Sequence, residues 1–221
     1  MTPQRIIQLA QRIGLSDCAI VPAEALVEDG LFMDEWIARS LHGNLDYLER
    51  HRAERYDPRV LVPGAKTMVI ALLRFSDSKH DYHRSLKSKL YDLEKRMREE
   101  IDHPDEWFAS TQHIFCDSAP MLERRWAERA GLGTIGRNHQ LIHPQLGSLV
   151  HIGELVLQQE VETCLGCAKD FHPCQDCHRC EETCPGQALG RDEWDVTRCI
   201  AYETHKCLEC QINCPYNESI I

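Results

Sequence analysis

Apolar positions first recur at helical spacing near the N-terminus. There Ile6, Ile7, Leu9, Ala10 and Ile13 share one face, and Gly14 ends the pattern. The short apolar run "DCAIVPAE" predicts a buried strand, and "LFMDEWIARSLHGNLDYLERH" a helix to about Leu41 with His42-Gly43 as its break. "TMVIALLRF" (Thr67–Phe75) is β-rich and follows the turn signal Pro63-Gly64, which predicts a central strand. "YHRSLKSKLYDLEKRMREEI" reads as a charged amphipathic helix with opposite charges four residues apart. "HIFCDSAP" reads as strand then turn, "MLERRWAERAGL" as a helix stopped by Gly131 and Gly133, and "GSLVHIGELVLQQEV" as another strand. Helices and strands alternate without an internal repeat, so the expected fold is α/β (α+β) with a modest sheet.

Composition changes this picture little. The chain has 221 residues, 43% hydrophobic and 27% charged, which suits a soluble globular protein. No apolar run approaches the roughly 18 residues of a membrane span. The N-terminus also lacks the continuous apolar core of a signal peptide, so no membrane and a cytoplasmic location are the expectation. A net charge of −10 argues against a generic nucleic-acid surface and leaves room only for a local basic patch.

The cysteines change it a great deal. Of the 12, only Cys18 and Cys116 precede Cys164, and both read as small buried hydrophobes in or beside strands. The gradient predicts two domains, a body over 1–160 and a cysteine-rich module over 161–221. In a reducing compartment such crowding reads as metal binding rather than as disulfides. Cys174, Cys177, Cys180 and Cys184 form C-x2-C-x2-C-x3-C followed by Pro185, the bacterial ferredoxin pattern, whose fourth cysteine ligates the other cluster. A second half is therefore required. Cys207-x2-Cys210-x3-Cys214-Pro215 supplies its tail, with Cys199 in place of the first cysteine. Two 4Fe-4S clusters follow: one on Cys174, Cys177, Cys180 and Cys214, the other on Cys184, Cys199, Cys207 and Cys210. Structural zinc is the alternative, although its ligand pairs are usually more widely separated. Cys164 and Cys167 form an extra C-x2-C. It reads as a third metal site with His172, as a redox pair, or as an incidental surface pair.

In the body, Asp117 stands at a strand end before Ser118, Ala119 and Pro120, with Gly131, Gly133 and Gly136 downstream to admit a ligand close to the backbone. A buried carboxylate there suits a general acid, whereas the plainer reading is an N-cap for a helix beginning near Pro120. The stretch from "DSAP..ER..A..AGLG..GRN" through "GS..HIGEL" resembles the epoxyqueuosine reductases. So do "HGNLDYLERHRAERYDPRVLVPGAKTMVIALLRF", "HDYHRSLKSKL" and "RCIAY...CLECQINCP". The match runs in order over nearly all of residues 1–217. The wider group of corrinoid-dependent reductases includes the reductive dehalogenases.

The resemblance implies a nitroreductase-like domain that holds cobalamin, followed by a ferredoxin-like module that feeds it electrons from an external donor such as a flavodoxin, a ferredoxin or a reductase. It implies reduction of epoxyqueuosine to queuosine in tRNA, with Asp117 as proton donor. Tyr82 and His83 of the "DYH" motif would line the cofactor pocket, with Arg137 and Asn138, while Ala201 and Leu208 would approach from the cluster side. For Tyr82 and His83 the plainer reading is a helix N-terminus packed on the body. Epoxyqueuosine reductases continue into a C-terminal helical-repeat domain, whereas this sequence stops after "CPYNESII", so a short form is the expectation. Corrinoid reduction of a different, small-molecule substrate is one alternative function. A dicluster electron carrier without corrinoid is another.

Overall fold

The computed structural model describes residues 1–75, 82–168, 170–190, 193–204 and 207–218. In chain order the helices are α1 (Pro3–Arg12), α2 (Val27–Ala38), α3 (Arg52–Tyr56), α4 (Pro58–Leu61), α5 (Tyr82–Glu100), α6 (Glu123–Arg129), α7 (Arg179–Glu182), α8 (Ile200–Thr204), α9 (Glu209–Ile212) and α10 (Pro215–Glu218). The strands are β1 (Asp17–Pro22), β2 (Thr67–Arg74), β3 (Ile114–Phe115), β4 (Thr134–Ile135), β5 (Leu141–Ile142) and β6 (Val150–Leu157).

Four strands form one antiparallel sheet in the order β1-β2-β6-β3. β2 is central, as its unbroken apolar run predicts, and seven of its eight residues are buried because both faces are covered. On one face Val69, Ala71, Leu73 and Leu155 pack against Ile6, Leu9 and Ala10 of α1 and Leu86, Leu90, Leu93 and Met97 of α5. On the other, Met68, Ile70, Leu72, Ile152 and Val156 pack against Trp126, Ala127 and Ala130 of α6. The result is a helix–sheet–helix sandwich. α5 can lie close to β6 because a Cβ on Gly153 would stand 2.8 Å from Leu90 Cδ1.

Several boundaries differ from expectation. α2 ends at Ala38, not near Leu41, because Ser40 turns into the left-handed region at φ 58°. β3 has only two residues, and α6 begins at Glu123 with Leu122 at its N-cap and no side-chain cap. Asp117 is therefore not the cap of that helix. The glycines expected to admit a ligand instead admit the chain itself. Gly131, at φ 71°, lets the "CLGC" turn close in, so a Cβ there would meet Gly166 O at 3.0 Å. A Cβ on Gly136 would meet Ile142 Cδ1 at 2.4 Å and Cys174 Sγ at 3.1 Å. Cys18 and Cys116 are buried, as read from the sequence.

Candidate functional site

The cysteines of the first expected set meet in space. Cys174, Cys177, Cys180 and Cys214 line one cavity with Asn138, Ile142, Pro173, Pro215 and Tyr216. In the second set, burial pushes the Cys210 thiol up to about 12, and Cys180, Cys207, Cys184 and Cys199 add to the rise. Among the described residues no three Cys, His, Asp or Glu side chains converge closely enough to hold a single metal ion. Both sets follow from short turns. α7 and α9 each place a cysteine inside a four-residue helix, and Cys184 and Cys214 follow directly before a proline.

Arg137 and Asn138 stand here, and they brace the cysteines rather than the cleft around Asp117. The Arg137 N–H donates to Cys174 Sγ at 3.4 Å, and its Nε donates to Cys174 O at 3.3 Å. Buried Asn138 donates from Nδ2 to Cys210 O at 3.2 Å, tying the second cysteine segment to the same loop. Asn217, three residues past Cys214, accepts from Ser148 N at 2.9 Å and donates to Gln211 O at 2.6 Å. Cys164 is bridged to β1 through paired backbone bonds with Ile20 of 2.8 and 2.9 Å, while Cys167 is exposed beside Gln145.

A second, larger cavity of about 290 Å³ opens beside Asp117. Trp36 and Met33 of α2, Tyr47, Arg55, Glu123 and Arg124 line it from the body, and Trp194 and Tyr202 from the cysteine-rich segment. The aromatic wall is continuous. The Trp194 ring stacks on Trp36 at 6.4 Å and on His139 at 6.0 Å, lies 5.5 Å from Tyr202, and has the Arg124 guanidinium 5.8 Å away. Trp36 Nε1 donates to Trp194 O at 2.8 Å, which fastens α2 to that segment. Burial pushes the Tyr202 hydroxyl up to about 12. Tyr202 lines the cleft with Asp117, and its N–H donates to Cys199 O at 3.1 Å. Its neighbour Ala201 lies in α8, and Leu208 precedes α9, where its carbonyl accepts from Gln211 N and Ile212 N.

Asp117 is not the buried carboxylate the sequence suggested. Its side chain is 73% exposed, because the two-residue β3 ends just before it and its backbone turns left-handed at φ 49°. Its N–H donates to Glu123 Oε1 at 2.6 Å, and His83 Nε2 lies 3.9 Å from Asp117 Oδ2. His83 opens α5 with Tyr82. The His83 ring lies 4.2 Å from the His151 ring, and Tyr82 packs 5.5 Å from Phe75. The preceding His80 and Asp81 of the "DYH" segment lie outside the described residues.

Two other carboxyls shape this region. Burial and the charge of Asp117 push Glu123 up to about 7. Glu154 of β6 is wholly buried, neither of its oxygens has a hydrogen-bond partner, and burial raises it well above the usual carboxylate range. Neither was singled out from the sequence, although a lone acid inside the apolar run "IGELVL" was a visible signal. The Trp36–Trp194 pairing, across 158 residues, had none.

An acidic, aromatic cleft set against a cysteine-lined cavity within a mixed α/β fold defines a chain built as an oxidoreductase. The chain belongs to the epoxyqueuosine reductase family. The epoxyqueuosine reductase of Leadbetterella byssophila is 35% identical over 210 residues, covering 88% of this chain and 67% of the relative. Among solved structures, epoxyqueuosine reductase from Streptococcus thermophilus superposes with a TM-score of 0.83 at 23% identity, over 98% of this chain and 66% of that one. An epoxyqueuosine reductase with an epoxyqueuosine-modified tRNA-Tyr stem loop gives 0.80 at 22% identity, over 97% and 65%. The chain thus spans about two thirds of the length of these relatives. No sequence-family model matches it.

Proposed function

We propose that this chain reduces epoxyqueuosine in tRNA to queuosine, with Asp117 as the proton donor at the cleft. The observation that carries the reading is the position of Tyr202, which lines the cleft with Asp117 and whose N–H donates to Cys199 O at 3.1 Å. The acid that would meet the substrate and the helix that follows Cys199 thus border one cleft.

The donor chemistry fits two 4Fe-4S clusters. The four thiols around the first cavity combine the ferredoxin-spaced Cys174, Cys177 and Cys180 with Cys214, and Cys184, Cys199, Cys207 and Cys210 would supply the second set. Arg137 and Asn138 would fix the loop on which the two cysteine segments rest. Residues 1–160 would then act as a nitroreductase-like catalytic domain and 161–221 as the ferredoxin-like module. An external one-electron donor (a flavodoxin, a ferredoxin or a reductase) would reduce the clusters.

The cleft also fits cobalamin. Its flat aromatic walls suit a planar macrocycle, its open side lets a large group extend outward, and Arg55 and Arg124 offer donors to polar edge groups. Trp36, Tyr47, His139, Trp194 and Tyr202 would hold the ring, and cobalamin bound there would supply low-potential electrons for the reduction. Removing an epoxide oxygen as water takes two electrons and two protons. Asp117 gives the first proton to the departing oxygen, and His83 beside it orients the carboxyl. The exposure of Asp117 suits a substrate as large as a tRNA loop, which cannot enter an enclosed pocket. Among the described residues no helix is long and apolar enough to cross a membrane.

Deletion of the gene, followed by nucleoside analysis of bulk tRNA, tests the reading. Epoxyqueuosine should accumulate at the expense of queuosine, and the wild-type gene but not Asp117→Asn should restore it. An unchanged queuosine level in the deletion strain overturns the assignment.

A further inference from the structure

Two cations in the cleft have no counter-ion. Arg55 of α3 is 5% exposed and lines the cavity beside Asp117. Its Nη2 donates to Tyr47 O at 3.1 Å and to Arg50 O at 3.3 Å, while its buried Nε has no hydrogen-bond partner. The two carbonyls hold the guanidinium in place but leave its charge uncompensated. Arg124 of α6 lines the same cavity, and its guanidinium stands 5.8 Å over the Trp194 ring. Among the described residues neither arginine has a carboxylate at ion-pair distance.

The neighbouring acids are engaged elsewhere. Glu49 pairs with His42 at 3.1 Å, Glu54 with His51 at 3.2 Å, and Asp34 with Arg52 at 3.2 Å. Of the carboxyls that line the cleft, Asp29 pairs with Arg125 at 3.1 Å, Glu123 accepts the Asp117 N–H, and Asp117 faces His83. The chain carries 35 acids against 25 lysines and arginines, so two unpaired arginines in one cleft do not reflect a shortage of carboxylates. A guanidinium held out of water is costly without an anion, and a ligand that brings one removes that cost.

We propose that Arg55 and Arg124 form a subsite in the cleft for a phosphodiester group. The planar donor fork of arginine suits the two free oxygens of such a group, and bidentate pairing adds direction to the charge attraction. The identity of the ligand rests on the epoxide-reduction reading. The two large molecules of that reaction carry their negative charge in this one form, RNA along its backbone and cobalamin in its nucleotide tail. Arg55 is the fixed member, held by Tyr47 and Arg50, and Arg124 is the more exposed one.

The test measures binding without turnover on the cluster-reconstituted protein. Three probes are used: cobalamin, cobinamide (the same corrin ring without the nucleotide tail and its phosphodiester) and an RNA anticodon stem loop. The variants are Arg55→Met, which keeps the apolar stem, and Arg124→Gln, which spares the bonds to Tyr47 and Arg50 and serves alone if the first does not fold. With the cofactor tail in the subsite, wild type should prefer cobalamin to cobinamide. The variants should then lose about 10–100-fold for cobalamin and nothing for cobinamide. With the RNA backbone there, corrinoid binding should hold and stem-loop affinity should fall by that factor. The slope of log affinity against log salt should also flatten by about 0.7, the contribution of one phosphate. Unchanged affinities for cobalamin and stem loop overturn the subsite. So do equal losses for cobalamin and cobinamide, or a weaker stem loop with the salt slope intact, since a mere brace for the loop gives those results. A protein that shows the subsite but converts no epoxyqueuosine overturns the functional reading alone.

Discussion

Replacing Asn217 with alanine should loosen the cysteine module from the sheet. Asn217 is 6% exposed, and its side chain makes three hydrogen bonds. It accepts from Ser148 N at 2.9 Å and donates to Ser148 Oγ at 3.1 Å and to Gln211 O at 2.6 Å. Ser148 precedes β6, and Gln211 belongs to α9, which carries Cys210, so one side chain links the body to the second cysteine segment at both Cys210 and Cys214. Ser148 is 1% exposed, and truncation leaves its N–H buried without a partner. That loss costs about 1–3 kcal/mol, and the other two bonds bring the sum to about 2–6 kcal/mol. For a domain of this size the melting midpoint should drop by roughly 4–24 °C. Gly147→Ala attacks the same joint from the other side, since its Cβ would stand 2.0 Å from Asn217 Oδ1 and its φ is 73°. Both variants should melt early under anaerobic calorimetry at a fixed scan rate, and both should lose iron faster to a chelator because Cys214 lies on the released segment. A midpoint within about 1 °C of wild type, with iron retained, would refute the reasoning.

Cys214→Ser and Cys210→Ser should each reduce iron from about eight to about four per chain after anaerobic reconstitution, one loss per cluster. Loss of all iron from either, or of none, contradicts the division into two sets. Asp117→Asn should lower kcat by about 10²–10⁴-fold with iron content unchanged. Glu123 makes stability depend on pH. Its ordinary value is 4.5 and the fold raises it to about 7, so the folded chain binds more protons than the unfolded chain between those values. Its contribution is full below pH 4.5 and is lost as pH rises through 7. Urea titrations of wild type should therefore show falling stability over that window, and Glu123→Gln should flatten the curve.

The long elements were legible because each carries its own signal. The apolar run of β2, the amphipathic period of α5 and the helical face of α1 all formed where the pattern put them. The meeting of Cys174, Cys177, Cys180 and Cys214 around one cavity was legible because ligand spacing is local chemistry. What depended on tertiary packing was not. Asp117 lies in a turn whose exposure follows from a β3 of two residues and a late start to α6, neither of which propensity dictates. Arg137 and Asn138 follow a glycine-rich turn that suggested a ligand, but that turn folds over Cys174 instead. The aromatic wall joins Trp36 to Trp194 across the whole chain, and no periodicity encodes such a pairing. Glu154 lay between the two cases. A single acid in an apolar strand is conspicuous, but only the sheet register shows that it lies on the face covered by α6.

The central claim is that this chain turns epoxyqueuosine into queuosine at the cleft of Asp117. The most direct measurement incubates the purified, cluster-reconstituted protein anaerobically with cobalamin, a low-potential reductant and tRNA bearing epoxyqueuosine, then digests the tRNA and separates its nucleosides. Queuosine should appear as epoxyqueuosine disappears, and Asp117→Asn should slow the conversion by orders of magnitude. Epoxyqueuosine that stays intact with fully reconstituted wild-type protein would contradict the account.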